Sequence, residues 1–199
     1  MKKLVLFVIL DKYSDWEIAY LSPLILALGK EEYAVKTVSL TKDSVRSLGG
    51  LTVLPDYDVC TVPETFSGLI LTGGLSWRND EARQIEPLVE SALQHNKVVG
   101  AICDASVFLG ATGALNHVRH TSNDLNDLKQ WAGSAYTGEE NYILQPSVRD
   151  GNLITANGTA ALEFAREVLL ALNVAPADKI LEWYRFYKHG CYEVPIPSL

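Results

Sequence analysis

Paired cysteines are missing from this 199-residue chain. Cys60, Cys103 and Cys191 form an odd, widely spaced set with no C-x-x-C pair. That excludes a disulfide framework and a thiol zinc site, and it points to a reducing, cytoplasmic setting. A basic surplus is missing too. Seventeen Lys and Arg stand against 24 Asp and Glu, a net charge of −7, so neither nucleic acid nor an anionic membrane is an expected partner. No apolar run approaches the ~20 residues that span a bilayer. Neither G-x-G-x-x-G nor G-x-x-x-x-G-K-[ST] occurs, so a phosphate cradle for a nucleotide is not expected. Repeats and low-complexity tracts are also lacking.

What remains is an ordinary globular composition, 48% hydrophobic and 21% charged, long enough to bury a core without metals or disulfides. Met1-Lys2-Lys3 followed by Leu4–Leu10 has the outline of a secretory signal. The run is short, however, and Asp11-Lys12 follow it where small residues would be needed for cleavage, so it reads as a buried strand. Leu4–Leu10, Ser67–Thr72 and Lys97–Ile102 are nearly all apolar, as parallel strands covered on both faces are. Tyr33–Leu40 alternates as a further strand. Between the strands lie helical patterns: Trp16–Lys30 with Pro23 inside it, Asn79–Asn96 with Pro87 opening its main segment, a short helix after Cys103, and Asp124–Ala132. Ser14 or Asp15 is the candidate cap of the first. Thr41–Pro63 is expected to be irregular with short strands. Tyr142–Ala156 reads as a hairpin turning at Asp150-Gly151, followed by helices over Thr159–Leu172 and Ala177–Tyr187. Alternating strands and helices predict a doubly wound α/β sheet. No boundary divides residues 1–199, which are expected to form one domain.

Three sequence features can carry chemistry. The first is Ala101-Ile102-Cys103-Asp104-Ala105, where a buried strand runs straight into a helix. A turn of this kind, a nucleophile elbow, lifts a side chain out of the carboxyl edge of the sheet. The helix N-terminus is expected to lower the thiol pKa and expose a thiolate. A small buried apolar Cys103 is the alternative. The second feature is Gly73-Gly74 at a strand end, either a plain turn or a source of backbone N–H groups for an oxyanion. The third is Asp15-Trp16-Glu17, either a solvated helix start or a means of setting Glu17 against the thiol as proton donor or base. His117 and His120 have no partner cysteine or carboxylate set, so no metal site is expected, and His95 and His189 fall at helix ends. Trp77 and Trp131 suit packing. Cys60 and Cys191 have no motif around them.

In their order and spacing, K-L-V-L-F-V-I-L, D-W-E, L-I-L-T-G-G, A-I-C-D-A and L-I-T-A-N-G-T-A-A-L-E-F-A resemble the ThiJ/PfpI superfamily, with its class I glutamine amidotransferase-like fold. The resemblance implies a flavodoxin-like, three-layer sandwich around a mostly parallel sheet. It implies that Cys103 is the reactive residue, that Glu17 hydrogen-bonds its thiolate, and that Gly73, Gly74 and the Asp104 amide hold an oxyanion. The implied function is a cysteine-dependent hydrolase or lyase, peptidase-like or acting on a small carbonyl or amide. The alternative is a redox or stress sensor that works by oxidation of the same cysteine. The implied protein is a cytoplasmic homodimer that needs no cofactor or metal and takes a small-molecule or peptide substrate. One departure stands out. Members often carry His directly after the nucleophile or a loop's length further on, and here those positions hold Asp104 and Asn123. His120, three residues before Asn123, would face the other way on a strand. Nor does the chain resemble a true glutamine amidotransferase, having neither glycines around the nucleophile nor a late His-x-Glu.

Overall fold

The computed structural model describes residues 2–198. The apolar runs become the inner strands of a seven-stranded sheet: β1 (Lys3–Val8), β2 (Tyr33–Ser39), β5 (Tyr57–Asp58), β6 (Gly68–Leu71), β7 (Val98–Ile102), β8 (Ser147–Asp150) and β9 (Leu153–Ala156). Their order is β5-β2-β1-β6-β7-β9-β8. All pairs are parallel except β8 with β9. A two-stranded ribbon, β3 (Val45–Arg46) with β4 (Thr52–Val53), stands apart in the segment expected to be irregular.

The period of two along each strand sorts its side chains into two cores. Leu6, Val8, Leu69, Leu71, Val99 and Ala101 point to one side, where α2 (Glu86–Gln94), α3 (Asp104–Ala111) and α4 (Leu125–Ala132) cover them. Val5, Phe7, Ile70, Val98 and Ile102 point to the other, beneath α1 (Leu21–Gly29), α5 (Ala161–Leu172) and α6 (Ala177–His189). This is the doubly wound, three-layer, flavodoxin-like sandwich expected. Phe164 of α5 is fully buried between sheet and helix, and truncating it to Ala would cost roughly 3–5 kcal/mol.

Two boundaries differ from expectation in ways that matter. The helix expected over Trp16–Lys30 is broken. Asp15–Glu17 is a single 3-10 turn and α1 begins only at Leu21, which leaves Pro23 in the first helical turn, where its missing N–H costs little. Neither Ser14 nor Asp15 caps it with a side chain. The Asp15 carboxylate instead accepts the Gly49 N–H at 2.7 Å, from the turn between β3 and β4. The late hairpin is shorter than expected. Asp150 pairs with Leu153, so Gly151-Asn152 forms its loop, with Gly151 at φ 57°.

The chain leaves β1 for β2 on one side and returns past β1 to β6 on the other. The direction of winding therefore reverses between β1 and β6, the place where open α/β sheets form crevices at their carboxyl ends. The segments leaving β1, β6 and β7 carry Glu17, Gly73-Gly74 and Cys103.

Candidate active site

Cys103 joins β7 to α3 at φ 59° and ψ −131°, a left-handed conformation that a residue with a Cβ rarely adopts. Such a conformation costs on the order of 1–3 kcal/mol and persists only where the surroundings over-determine it. Here β7 and β9 clamp one side, the Cys103 N–H bonding the Ala156 carbonyl at 2.9 Å. On the other side the Ser106 hydroxyl and N–H both reach the Cys103 carbonyl, the hydroxyl at 2.6 Å. The result is the expected elbow with the sulfur half-buried.

Glu17 is fully buried directly beneath it. The Cys103 thiol, the Gly73 N–H and the Ser14 hydroxyl face its carboxyl group. None closes a well-formed hydrogen bond, and both carboxyl oxygens are left unpaired. Burial raises the Glu17 pKa to about 7. The sequence led us to expect a lowered thiol pKa, and the site does the opposite. Burial, then the charge of Glu17, push Cys103 up to about 11, while Asn123 and the Asp104 N–H pull it the other way. The N-terminus of α3 is present as expected, but desolvation outweighs it.

Two glycines make room for this contact. A Cβ on Gly73 would collide with a Glu17 oxygen and lie 2.6 Å from the Cys103 Cβ. A Cβ on Gly158 would sit 2.9 Å from the sulfur. Gly158 lies in the N-G-T stretch after β9, and the sequence reading gave it no role. Its importance comes from close approach to a residue 55 positions away, which no local pattern carries. Gly74, at φ 144°, forms an isolated bridge with Tyr13. The bonds of that bridge run from Ser14 N–H to the Gly73 carbonyl and from Leu75 N–H to the Lys12 carbonyl, so the Gly74 N–H stays outside them.

Asn123, at the position where a histidine was sought, reaches the sulfur. Its Nδ2 donates to Cys103 Sγ at 3.3 Å and its Oδ1 accepts the Gly158 N–H at 2.8 Å. An amide can orient a sulfur but cannot take its proton. His120 faces away, as expected for its strand-like register. It is fully buried, one ring nitrogen 2.8 Å from the Val118 carbonyl and the other 2.7 Å from the Tyr136 hydroxyl, and its ring lies edge-on to Tyr136 and Tyr142. His117 has no contact with the sulfur among the described residues.

A charged cluster borders the elbow. Arg78, from the loop leaving Gly73-Gly74, forks onto Asp104 through Nε and a terminal nitrogen, both at 2.7 Å. It also bonds Asp127 of α4 at 3.0 and 2.6 Å. Its guanidinium lies near the Trp131 ring. Trp77 is buried and donates to the Thr72 carbonyl at 2.6 Å, a packing role. Trp16 is 52% exposed, with its indole N–H on the Gly158 carbonyl at 3.3 Å. Cys60 and Cys191 are both exposed and far from these groups in the chain. Among the described residues no three His, Cys, Asp or Glu side chains gather as metal ligands, and no helix is long and apolar enough to cross a membrane.

Comparison with known proteins adds ancestry to this geometry. A family model described as the DJ-1/PfpI family matches residues 3–171. The chain is 37% identical over 195 residues to the uncharacterized protease YdeA of Bacillus subtilis, covering 96% of this chain and 94% of that one. It is 40% identical over 185 residues to the uncharacterized protease YoaZ of the same organism, covering 88% and 86%. Among solved structures, a thiJ/pfpI family protein from Bacillus anthracis superposes with a TM-score of 0.88 at 35% identity, over 95% of this chain and 92% of that one.

Proposed function

Because the chain belongs to the DJ-1/PfpI family, we propose that it is a cysteine-dependent hydrolase or lyase acting on a peptide or a small carbonyl or amide. One observation carries the reading. A strained elbow presents the Cys103 sulfur directly above a buried Glu17 that has no well-formed partner of its own. Such unsatisfied burial is costly, and proteins retain it chiefly where chemistry uses it. The protease names of two relatives agree with a hydrolase.

In the proposed reaction Glu17 is the base, since Asn123 cannot be. The thiol proton passes to a Glu17 oxygen. The sulfur pair forms a bond to the substrate carbonyl carbon, and the carbonyl π pair moves onto oxygen. The N–H groups of Gly74 and Asp104 receive that oxyanion. Gly73 contributes less to this than expected, because its N–H faces Glu17. Collapse re-forms the carbonyl and breaks the bond to the leaving group, which takes the proton from Glu17. Water then hydrolyses the thioester. The raised Glu17 pKa suits this shuttle, because a proton carrier works best near the operating pH. The Asn123 and Asp104 donors hold the sulfur as it becomes a thiolate. Residues 1–199 act as one unit in this scheme, as a cytoplasmic homodimer without metal or cofactor.

The test is hydrolysis of peptide and small amide substrates by purified protein. Cys103→Ala should abolish turnover, and Glu17→Gln should lower it roughly 10²–10⁴-fold. Full activity in Cys103→Ala would end the proposal. A second reading, sensing by oxidation, draws on the same orphaned carboxyl group. Protonated, it could donate to an oxygen added to the sulfur. Mild peroxide followed by peptide mass mapping should then modify Cys103 before Cys60 and Cys191. The reverse order removes the sensor.

A further inference from the structure

The charges around the elbow are unbalanced in one direction. Asp104 follows the nucleophile directly, and its side chain is only 14% exposed, so solvent screens it weakly. Asp127 sits on the far side of Arg78. Asp124, the residue after Asn123, caps α4 by accepting the Asp127 N–H and has no ion pair among the described residues. Two carboxylates therefore share one guanidinium, and a third, Asp124, stands unpaired at the start of α4, next in sequence to the residue that reaches the sulfur. Arg78 is not free to greet an anion, because four hydrogen bonds to two aspartates occupy its edges. The other cations nearby have acids of their own: Arg83, which shares a depression with Arg78, pairs with Glu86, and Lys129 of α4 pairs with Glu139, while Lys12 and Arg46 line a separate depression with Asp11, Leu48 and Leu75. The Asp104 charge is also felt at Glu17, where it disfavours ionisation. Gly158, close enough that a Cβ there would sit 2.9 Å from the sulfur, carries on its carbonyl the half-exposed indole of Trp16, whose π face attracts cations.

We propose that the site selects electrophiles bearing a positive charge close to the reacting carbonyl, such as peptides with a basic side chain or aminated carbonyl compounds, with Asp104, Asp124 and Asp127 supplying the attraction and Trp16 the aromatic wall. The inference rests on Cys103 being the reactive residue and adds the charge of what reacts with it. Arg78 sets the strength of the preference. It cancels one carboxylate and is held where it cannot cancel a second.

The thiol itself reports the local potential. The protein is treated with two methanethiosulfonates of similar size, one ending in trimethylammonium and the other in sulfonate. In each case the Cys103 sulfur forms a disulfide, methanesulfinate leaves and the thiol proton goes to solvent. Rates at Cys103, Cys60 and Cys191 are read separately by peptide mass mapping. All three cysteines share the net charge of −7, so the two exposed ones correct for it. At low salt the cation-to-anion rate ratio at Cys103 should exceed that at Cys60 and Cys191 by about fivefold or more, and salt should shrink it. Asp127→Asn should lower the ratio and Arg78→Met should raise it. Opposite signs from two partners in one cluster would not arise from loosened structure alone. Trp16→Leu should lower the trimethylammonium rate more than the sulfonate rate. A ratio at Cys103 equal to or below that of the exposed cysteines overturns the proposal and leaves the reactive-cysteine reading standing. Failure of Cys103 to react with either reagent, while Cys60 and Cys191 do, overturns both.

Discussion

Two buried polar groups in this molecule, His120 and Glu17, are housed by opposite rules. Around His120 both ring nitrogens have partners, two tyrosine rings pack edge-on, and the imidazole is fully buried. Around Glu17 both carboxyl oxygens go without a well-formed partner, the neighbouring cysteine is twisted into a left-handed conformation, and a glycine stands wherever a Cβ would intrude. The first arrangement is what burial demands of a polar group and contributes stability. The second costs stability and is kept. The family's most familiar residue types therefore mislead if taken one by one. The histidine has both ring nitrogens occupied, and the carboxyl group is the one left without a partner.

The two groups respond to pH with opposite signs. Burial raises the Glu17 pKa from 4.5 to about 7. Its stabilising contribution is complete below the unfolded value and is lost as pH rises through the folded one. Burial lowers the His120 pKa. Its contribution is present above the unfolded value of about 6.5 and is lost as pH falls below it.

The sharpest break in the comparison is mutational. His120→Ala should lose roughly 3 kcal/mol in urea unfolding at pH 8, by leaving the Tyr136 hydroxyl and a cavity behind. Its Cys103 alkylation rate per folded molecule should be unchanged, and a changed rate would bring His120 into the chemistry. Glu17→Gln should do the reverse, stabilising the fold by up to about 3 kcal/mol at pH 9 and by almost nothing at pH 4. Equal effects at both pH values would show that Glu17 is not buried as an acid. A finer probe is the elbow itself. Cys103→Gly should be more stable than Cys103→Ala by about 1–2 kcal/mol, because only glycine relaxes at this φ. Equal melting temperatures would mean that the elbow carries no strain. The smallest effect expected is that of Asp15→Ala, which frees the Gly49 N–H and should cost about 1 kcal/mol. Faster amide exchange at Gly49 would confirm the tether between the ribbon and the turn bearing Glu17.

Much of this architecture could be read without coordinates. The inner strands, the elbow at Cys103 and the strand-end glycines were legible because each depends on a few neighbouring residues. The ribbon tethered by Asp15 was not, because Asp15 looks like any helix cap until Gly49 arrives from 34 residues away. Arg78 gave no signal either. A lone arginine in a loop is unremarkable until two aspartates from different helices close on it.

Sequence alone determined the order of strands and helices, the place where a sulfur would emerge from the sheet, and the absence of a histidine beside it. These follow from backbone periodicity, steric limits at particular residues and simple identity. Tertiary structure alone decided that Asn123 and Gly158 would hold that sulfur, that Arg78 would be pinned between carboxylates, and that the thiol pKa would rise. Desolvation and charge depend on what gathers in space. The expectation of a lowered pKa failed because it counted the helix beginning at Asp104 and left out the desolvation of the half-buried sulfur, to which the charge of Glu17 adds.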